Sequence, residues 1–234
     1  MFISTDWYSD VGGRANNEDA VGVFERNGTT LCVVADGLGG HDNGEVASNA
    51  VLKVMANYAY GNLSKTALYN ATQRANEEIL RRAGNSQMKT TLALLWMQNG
   101  NALVGTAGDT RIYQFRAGRI KFQSVDHTLA QLDVIAGDEA ARDVRTNPDR
   151  NKLIRVVGMK EGFKVDISEL QYQPGDAFLL CSDGFWENIL EDDMLRTLSQ
   201  SKSAADWLKA MRRILEPRLN KDSDNNSAIA VVVR

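Results

Sequence analysis

Residues 31–45 read LCVVADGLGGHDNGE: an apolar run, a single carboxylate at Asp36, then Gly37, Gly39 and Gly40. On its own, Asp-Gly after an apolar run is a strand leading into a turn, because both residues tolerate turn conformations. The device recurs. AFLLCSDG places Asp183-Gly184 after a second apolar run, ALVGTAGDTR ends a third at Asp109, and DSDNNSAIAVVV sets Asp224 just ahead of a fourth. Carboxylates brought together beside a dry core repel and lose hydration, so a shared site needs a counter-charge. A divalent cation supplies it. The candidate donors are oxygens, the chain has 2 histidines, and no Cys-Cys spacing occurs, which favours Mg²⁺ or Mn²⁺ over a structural zinc site. Glycines let the backbone approach an ion closely, and the Gly37 carbonyl is a candidate donor. Four independent turns are the alternative; it ranks lower because each acid stands at the end of a buried run.

A fifth segment, SDVGGRANNEDAVGVF, spaces Arg14 and Glu18 four apart ahead of Asp19 and an apolar strand. In isolation it reads as a solvated polar loop. Beside a metal cluster, Glu18 becomes a further ligand and Arg14 a planar fork for a phosphate.

The elements that must position these residues are legible in outline. Strand-like segments are STDWYS, residues 20–24, 31–35, 90–97, 102–107, 111–115, 119–125, 164–170, 177–182 and 227–233. Short connections make much of the sheet antiparallel, with hairpins expected at Gly100-Asn101 and Ala117-Gly118. Ala47, Ala50, Val51, Val54, Met55 and Tyr58 recur at helical spacing, with Asp42 or Asn43 as cap. Leu68, Ala71, Ala75 and Ile79 form a second stripe between Ser64 and Gly84. A third helix is expected from Ser203 to Leu215, capped by Ser203 and Asp206 and ended by Pro217. Strands, two helices, more strands, then helices and a last strand suggest sheets covered by helices rather than alternating units around a parallel sheet.

Composition bounds the function. The 234 residues are 43% hydrophobic and 24% charged with a formal net charge of −3, as in an ordinary soluble globular protein. No basic footprint points to nucleic acid or an anionic membrane. No apolar run is long enough to span a bilayer, and the first residues lack a signal peptide's pattern. Cys32 and Cys181 read as reduced core thiols of a cytoplasmic protein, with a single disulfide between them as the alternative.

Taken in order, SDVGGRANNEDA, VVADGLGGHDNGEVAS, TTLALL, GTAGDTRIY, DHTLAQ, NKLIRVVG, LLCSDGFWE and DNNSAIAVVV resemble the metal-dependent protein phosphatases, the type 2C serine/threonine phosphatases, in their compact bacterial form. The resemblance covers nearly the whole chain. It implies an α+β fold, a four-layer α-β-β-α sandwich of two antiparallel sheets flanked by helices. The chain would be a single catalytic domain over residues 1–234, with a flap at about 126–158.

It further implies two Mn²⁺ or Mg²⁺ ions. Asp36 matches the carboxylate that bridges them, the Gly37 carbonyl and Glu18 complete one ion's protein ligands, and Asp183 and Asp224 serve the other. Asp109 matches a residue that joins Asp183 at a third, weaker site. Arg14 matches the phosphate-binding arginine, and Asp19 an acid that hydrogen-bonds metal-bound water. The reaction implied is attack of a metal-activated water on phosphoserine or phosphothreonine, with no covalent phosphoenzyme. Leu38 stands where animal members carry a histidine proposed as general acid; His41 is nearby, but a cap or solvent role suits it better. The charges of the flap, Asp126, Arg142, Arg145, Arg150 and Arg155, read as a solvated helix-loop excursion, and His127 as the orienter of a turn. The implied partners are phosphoprotein substrates and a cognate serine/threonine kinase, with the enzyme a monomer. A partner-binding pseudophosphatase is disfavoured because every expected ligand is present. A two-metal phosphodiesterase or nuclease is disfavoured by the scarcity of histidine and of basic grooves.

Overall fold

Apolar residues at consecutive positions of a strand mean that both of its faces are covered, since alternate side chains point to opposite sides. That pattern governs the architecture. The computed structural model describes residues 1–39, 43–59, 61–84, 86–138 and 140–234, and of Ala141 and Arg142 only the backbone. Its strands are β1 (Ile3–Asp10), β2 (Asp19–Arg26), β3 (Thr29–Leu38), β4 (Lys89–Thr90), β5 (Leu92–Gln98), β6 (Asn101–Ala107), β7 (Arg111–Arg116), β8 (Arg119–Gln123), β9 (Asp166–Gln171), β10 (Ala177–Cys181) and β11 (Asn226–Val233). The helices are α1 (Asn43–Tyr58), α2 (Lys65–Ala83), α3 (Leu129–Ala136), the single turn α4 (Asp183–Trp186), α5 (Glu191–Ser199) and α6 (Ala204–Leu215).

Two sheets form. One runs β1-β11-β10-β7-β8; the other runs β2-β3-β5-β6-β9, with β4 paired to β3. Every pairing between these strands is antiparallel. Along β3, Leu31, Val33 and Ala35 pack with Ala47, Val51, Met55 and Leu68 of α1 and α2, whereas Cys32 and Val34 pack with Phe178, Leu180, Ile229 and Val231 of the opposite sheet. Along β11, Ala228 and Ala230 turn outward to Trp207, Leu208 and Met211 of α6. Helices, sheet, sheet and helices are therefore four layers held by three apolar seams, as the resemblance implies. Both cysteines are free and buried.

Local chemistry sets most boundaries. The Ser64 side chain accepts the Ala67 N–H, and Gly84 follows α2 at φ 54°. Ser203 accepts the Asp206 N–H, and α6 stops at Leu215, two residues before Pro217. The β7–β8 hairpin turns at Ala117-Gly118 as expected, with φ positive at both residues, as a tight hairpin of this hand needs. The β5–β6 turn falls at Asn99-Gly100, one residue earlier than expected, and a third such turn at Asn27-Gly28 joins β2 to β3. The 90–97 segment divides at Thr91 into β4 and β5. α1 begins at Asn43; the other candidate cap, Asp42, lies outside the described residues together with Gly40 and His41. Among the described residues, no helix is long and apolar enough to cross a membrane.

Candidate active site

The corners after the central strands open on one side of the sandwich. Asp36, Asp109, Asp183 and Asp224 line one pocket of about 450 Å³ there, with Arg14, Glu18, Gly37 and Leu38. Residues from five separate stretches of sequence thus meet, which four independent turns would not do. β3 continues through Asp36 to Leu38, so Asp36 sits inside a paired strand, opposite Asp19 of β2. Asp183 begins α4, and Asp224 immediately precedes Asn225 and β11.

Gly37 has no room for a side chain. A Cβ there would lie 2.2 Å from the Gly44 carbonyl oxygen and 2.7 Å from that of Glu18. This close approach brings the start of α1 and the Glu18 backbone against Asp36, and Gly37 N–H donates to the Glu18 carbonyl at 3.1 Å. Asp36 is fixed from the other side. Its N–H donates to Thr91 Oγ1 at 2.9 Å, and its carbonyl accepts from Thr91 N–H at 2.8 Å and Thr90 Oγ1 at 2.7 Å. Thr91 Oγ1 also meets Thr110 Oγ1 at 2.5 Å, which ties β3 to the residue after Asp109.

Asp19 does not line the pocket; it lies behind it, buried. Its Oδ2 accepts from Ser182 Oγ at 2.7 Å, so it holds the residue before Asp183, and its Oδ1 is buried with no hydrogen-bond partner. Asp183 Oδ1 is likewise buried and unpartnered. Burial, and then neighbouring acids, push Asp183 up to about 7; burial pushes Asp19 up to about 6. Asp36 and Asp109 stand well above the usual carboxylate range, for burial first and the surrounding carboxylates second. Among the described residues, no three acidic, histidine or cysteine side chains are drawn around one point as a preformed ion site. Orphaned carboxylate oxygens, desolvated acids and an all-oxygen donor set fit hard divalent cations.

The 126–158 segment is not the solvated excursion its charges suggested. Arg145 makes a two-pronged pair with Glu191, both bonds 2.9 Å, and Arg150 pairs with Glu187. Arg155 pairs with Asp166. Buried Arg111 clasps Asp126 and lies 3.5 Å from the centre of the Trp186 ring. His127 does hold a turn: Gly108 N–H donates to its Nδ1 at 3.1 Å, while its Nε2 lies 3.0 Å from Asp166 Oδ2 and 2.9 Å from Arg155 Nη1. Arg145 and Arg150 are paired because the segment folds back onto the corner between α4 and α5, whereas Arg155 pairs with β9 and Asp126 with β7, contacts that no local pattern announces. Asn151 and Leu153 bring it to the pocket wall. The Arg142 side chain lies outside the description.

Thr91, Thr110 and Ser182 were not singled out by sequence reasoning. Threonine and serine beside an acid carry no signal until the partner strand is known. A larger cavity of about 760 Å³ lies elsewhere, by Gln114, Arg116 and Gln171; it holds none of these acids, and Arg116 there is taken up by Asp176.

An acid pocket with a guanidinium at its mouth, set at the edge of two stacked antiparallel sheets, suits cation-assisted chemistry on a phosphoryl group. Residues 9–223 match the family model described as protein phosphatase 2C, and the chain belongs to that family. The serine/threonine phosphatase stp of Listeria monocytogenes is 28% identical over 205 residues, 82% of this chain and 81% of that protein. The serine/threonine protein phosphatase PstP of Mycobacterium tuberculosis is 30% identical, over 93% of this chain and 42% of that longer protein. The crystal structure of M. tuberculosis PstP/Ppp superposes with a TM-score of 0.90 at 26% identity, over 100% of both chains. A PstP catalytic domain in complex with two manganese ions gives 0.86 at 25% identity, over 99% of both.

Proposed function

We propose that this chain hydrolyses phosphoserine and phosphothreonine in proteins with the help of two Mn²⁺ or Mg²⁺ ions held in the acid pocket. The observation that carries the reading is the meeting of Asp36, Asp109, Asp183, Asp224 and Glu18 around one pocket with Arg14 at its mouth. Asp36 would be shared between the ions, with Glu18 and the Gly37 carbonyl on one side and Asp183 and Asp224 on the other. Asp109 with Asp183 would take a third, weaker ion. When bound, such ions acidify water and offset charge on phosphoryl oxygens.

The chain's own groups do the rest. Arg14 offers a planar fork to two phosphate oxygens and orients the ester. Asp19 holds Ser182 from behind the pocket, and its unpartnered Oδ1 would accept a hydrogen bond from water. Leu38 has no proton to give, so the leaving alkoxide takes its proton from water in the pocket. The substrates are phosphoproteins, and the enzyme, a cytoplasmic monomer in this reading, opposes a cognate serine/threonine kinase. Phosphate release from a phosphothreonine peptide tests the reading: it should require Mn²⁺ or Mg²⁺ and stop on chelation. Turnover that persists in excess chelator would overturn it.

A further inference from the structure

The loop from Val11 to Glu18 carries both Arg14 and Glu18, yet it belongs to no helix or strand. Gly13 N–H donates to the Ser223 carbonyl at 2.9 Å and Asn17 Nδ2 to Ser9 Oγ at 2.8 Å, and one side chain from the far end of the sequence binds the loop at three points. Asn225 Nδ2 donates to the Val11 carbonyl at 2.8 Å and to the Asn16 carbonyl at 3.0 Å, while Asn225 Oδ1 accepts the Glu18 N–H at 2.8 Å. Both amide protons and one acceptor position are thus committed to three points of a single loop. Asn225 is buried and borders the pocket. Its own N–H donates to Asp224 Oδ1 at 2.8 Å. On its other side, a Cβ on Gly184 would lie 2.1 Å from the Asn225 carbonyl oxygen, so the residue is wedged between this loop and the Asp183-Gly184 corner.

We propose that Asn225 is a positioning residue that sets Arg14 and Glu18 as one unit against Asp183 and Asp224. Phosphate grip and cation affinity on that side of the pocket then depend on one amide. The proposal rests on the roles given above to Arg14 and Glu18. The chemistry asks for asparagine: two donors and an acceptor in one short planar group. Aspartate keeps the acceptor for Glu18 N–H but loses both donors, and alanine loses all three. A displacement of about 1 Å at a positioned group can cost on the order of 100-fold, so loosening the loop should appear in binding before it appears in the chemical step.

The test uses the full chain with Asn225→Ala and Asn225→Asp, each alone and combined with Arg14→Ala or Glu18→Gln. KM and kcat are measured on a phosphothreonine peptide at saturating Mn²⁺, and the Mn²⁺ Kd by calorimetry without substrate. Both single variants should raise KM and Mn²⁺ Kd about tenfold or more, as groups supporting a metal site do, while kcat falls less. In the Arg14→Ala background the Asn225 substitutions should change KM less than about twofold, and in the Glu18→Gln background they should change Mn²⁺ Kd less than about twofold, since a residue acting through another adds nothing once that one is gone. Unchanged KM and Kd in the single variants, or full effects persisting in both double variants, would overturn the proposal. If Asn225→Ala does not fold, Asn225→Asp carries the same cycles. If Arg14→Ala alone leaves KM unchanged, the Arg14 assignment fails and the Glu18 cycle decides; if Glu18→Gln also leaves Kd unchanged, the proposal falls with the site reading.

Discussion

Arg14 Nη2 donates to Asp224 Oδ2 at 2.8 Å, so the guanidinium proposed to grip phosphate rests on a carboxylate proposed to hold a cation. The bond holds Arg14 above its ordinary pKa. Arg14 and a cation therefore compete for one carboxylate. Arg14→Ala should tighten Mn²⁺ binding about two- to fivefold, the worth of a half-exposed ion pair. It should also raise KM for phosphothreonine peptide about 10- to 100-fold, from loss of a charge-assisted hydrogen bond worth ~1.5–3 kcal/mol. Calorimetry and steady-state kinetics on the same variant check the pair of effects. A weaker Mn²⁺ affinity in Arg14→Ala would contradict the competition.

Asp36→Asn and Asp183→Asn each remove a charge from a site where burial and neighbouring acids already oppose charge. Mn²⁺-dependent turnover should fall more than about 100-fold, since even groups that only support metal ligands cost 10- to 100-fold. The melting temperature in chelator should be no lower than that of the parent protein, because a repulsive charge has been relieved. The rise in melting temperature on adding Mn²⁺ should vanish, as binding to the native state alone produces it. A normal Mn²⁺-induced shift in either variant would remove that carboxylate from the ligand set.

The raised acids fix the direction of a pH effect. A carboxyl whose pKa is higher folded than unfolded binds more protons in the native state, so stability falls as pH rises between the two values. For Asp183 the window runs from an ordinary carboxyl near 3.8 to about 7, and for Asp19 to about 6. Asp166 and Asp193, which are held low by arginine or histidine partners against the effect of burial, act with the opposite sign but only below the ordinary carboxyl value. In chelator the melting temperature should therefore drop from pH 5 to pH 7.5. Saturating Mn²⁺ should flatten that drop, because cations replace the protons. A rise across the same range in chelator would show that the acids are not desolvated as the pocket implies.

What was legible in the sequence was whatever depends on neighbours in the chain. The unbroken apolar run before Asp36 reports a strand covered on both faces, and Ser64, Gly84 and Ser203 mark helix ends through bonds within a few residues. Asp36 and Asp183 stood out because the same pattern, an apolar run ending in Asp-Gly, recurs along the chain. Asn225 was visible only as one letter of a motif, for its partners Val11, Asn16 and Glu18 lie more than 200 residues away. Arg145 and Arg150 looked like surface charge for the same reason: Glu191 and Glu187 reach them through the fold. Asp19 was recognised as important, but its place behind the pocket, on the Ser182 hydroxyl, depends on how two sheets stack.

Glu191 is the hub of the contact that holds the 126–158 segment, and its loss should be felt in stability. Its carboxylate takes two hydrogen bonds from Arg145 and one from Tyr113 Oη, and Arg111 Nη1 lies 3.8 Å away. Arg145 and Arg111 both approach the Trp186 ring, at 5.4 and 3.5 Å from its centre. Asp126 neutralises Arg111, so Glu191 is the acid that answers Arg145. Glu191→Gln keeps the shape and removes the charge, leaving a largely enclosed guanidinium without its counter-ion. The expected cost is about 1–3 kcal/mol, or some 2–12 °C in melting temperature at ~2–4 °C per kcal/mol for a chain of this size. Glu77→Gln is the control: its pair with Arg74 lies open to solvent and should leave the melting temperature unchanged. Replacing both partners with apolar groups of similar size, Arg145→Met with Glu191→Leu, should lose less than Glu191→Gln alone, because no buried charge is stranded. Protease cleavage within residues 143–153 should speed up in Glu191→Gln and not in Glu77→Gln. A Glu191→Gln protein as stable and as resistant as the control would mean that the arginines rest on the core without holding the segment to it.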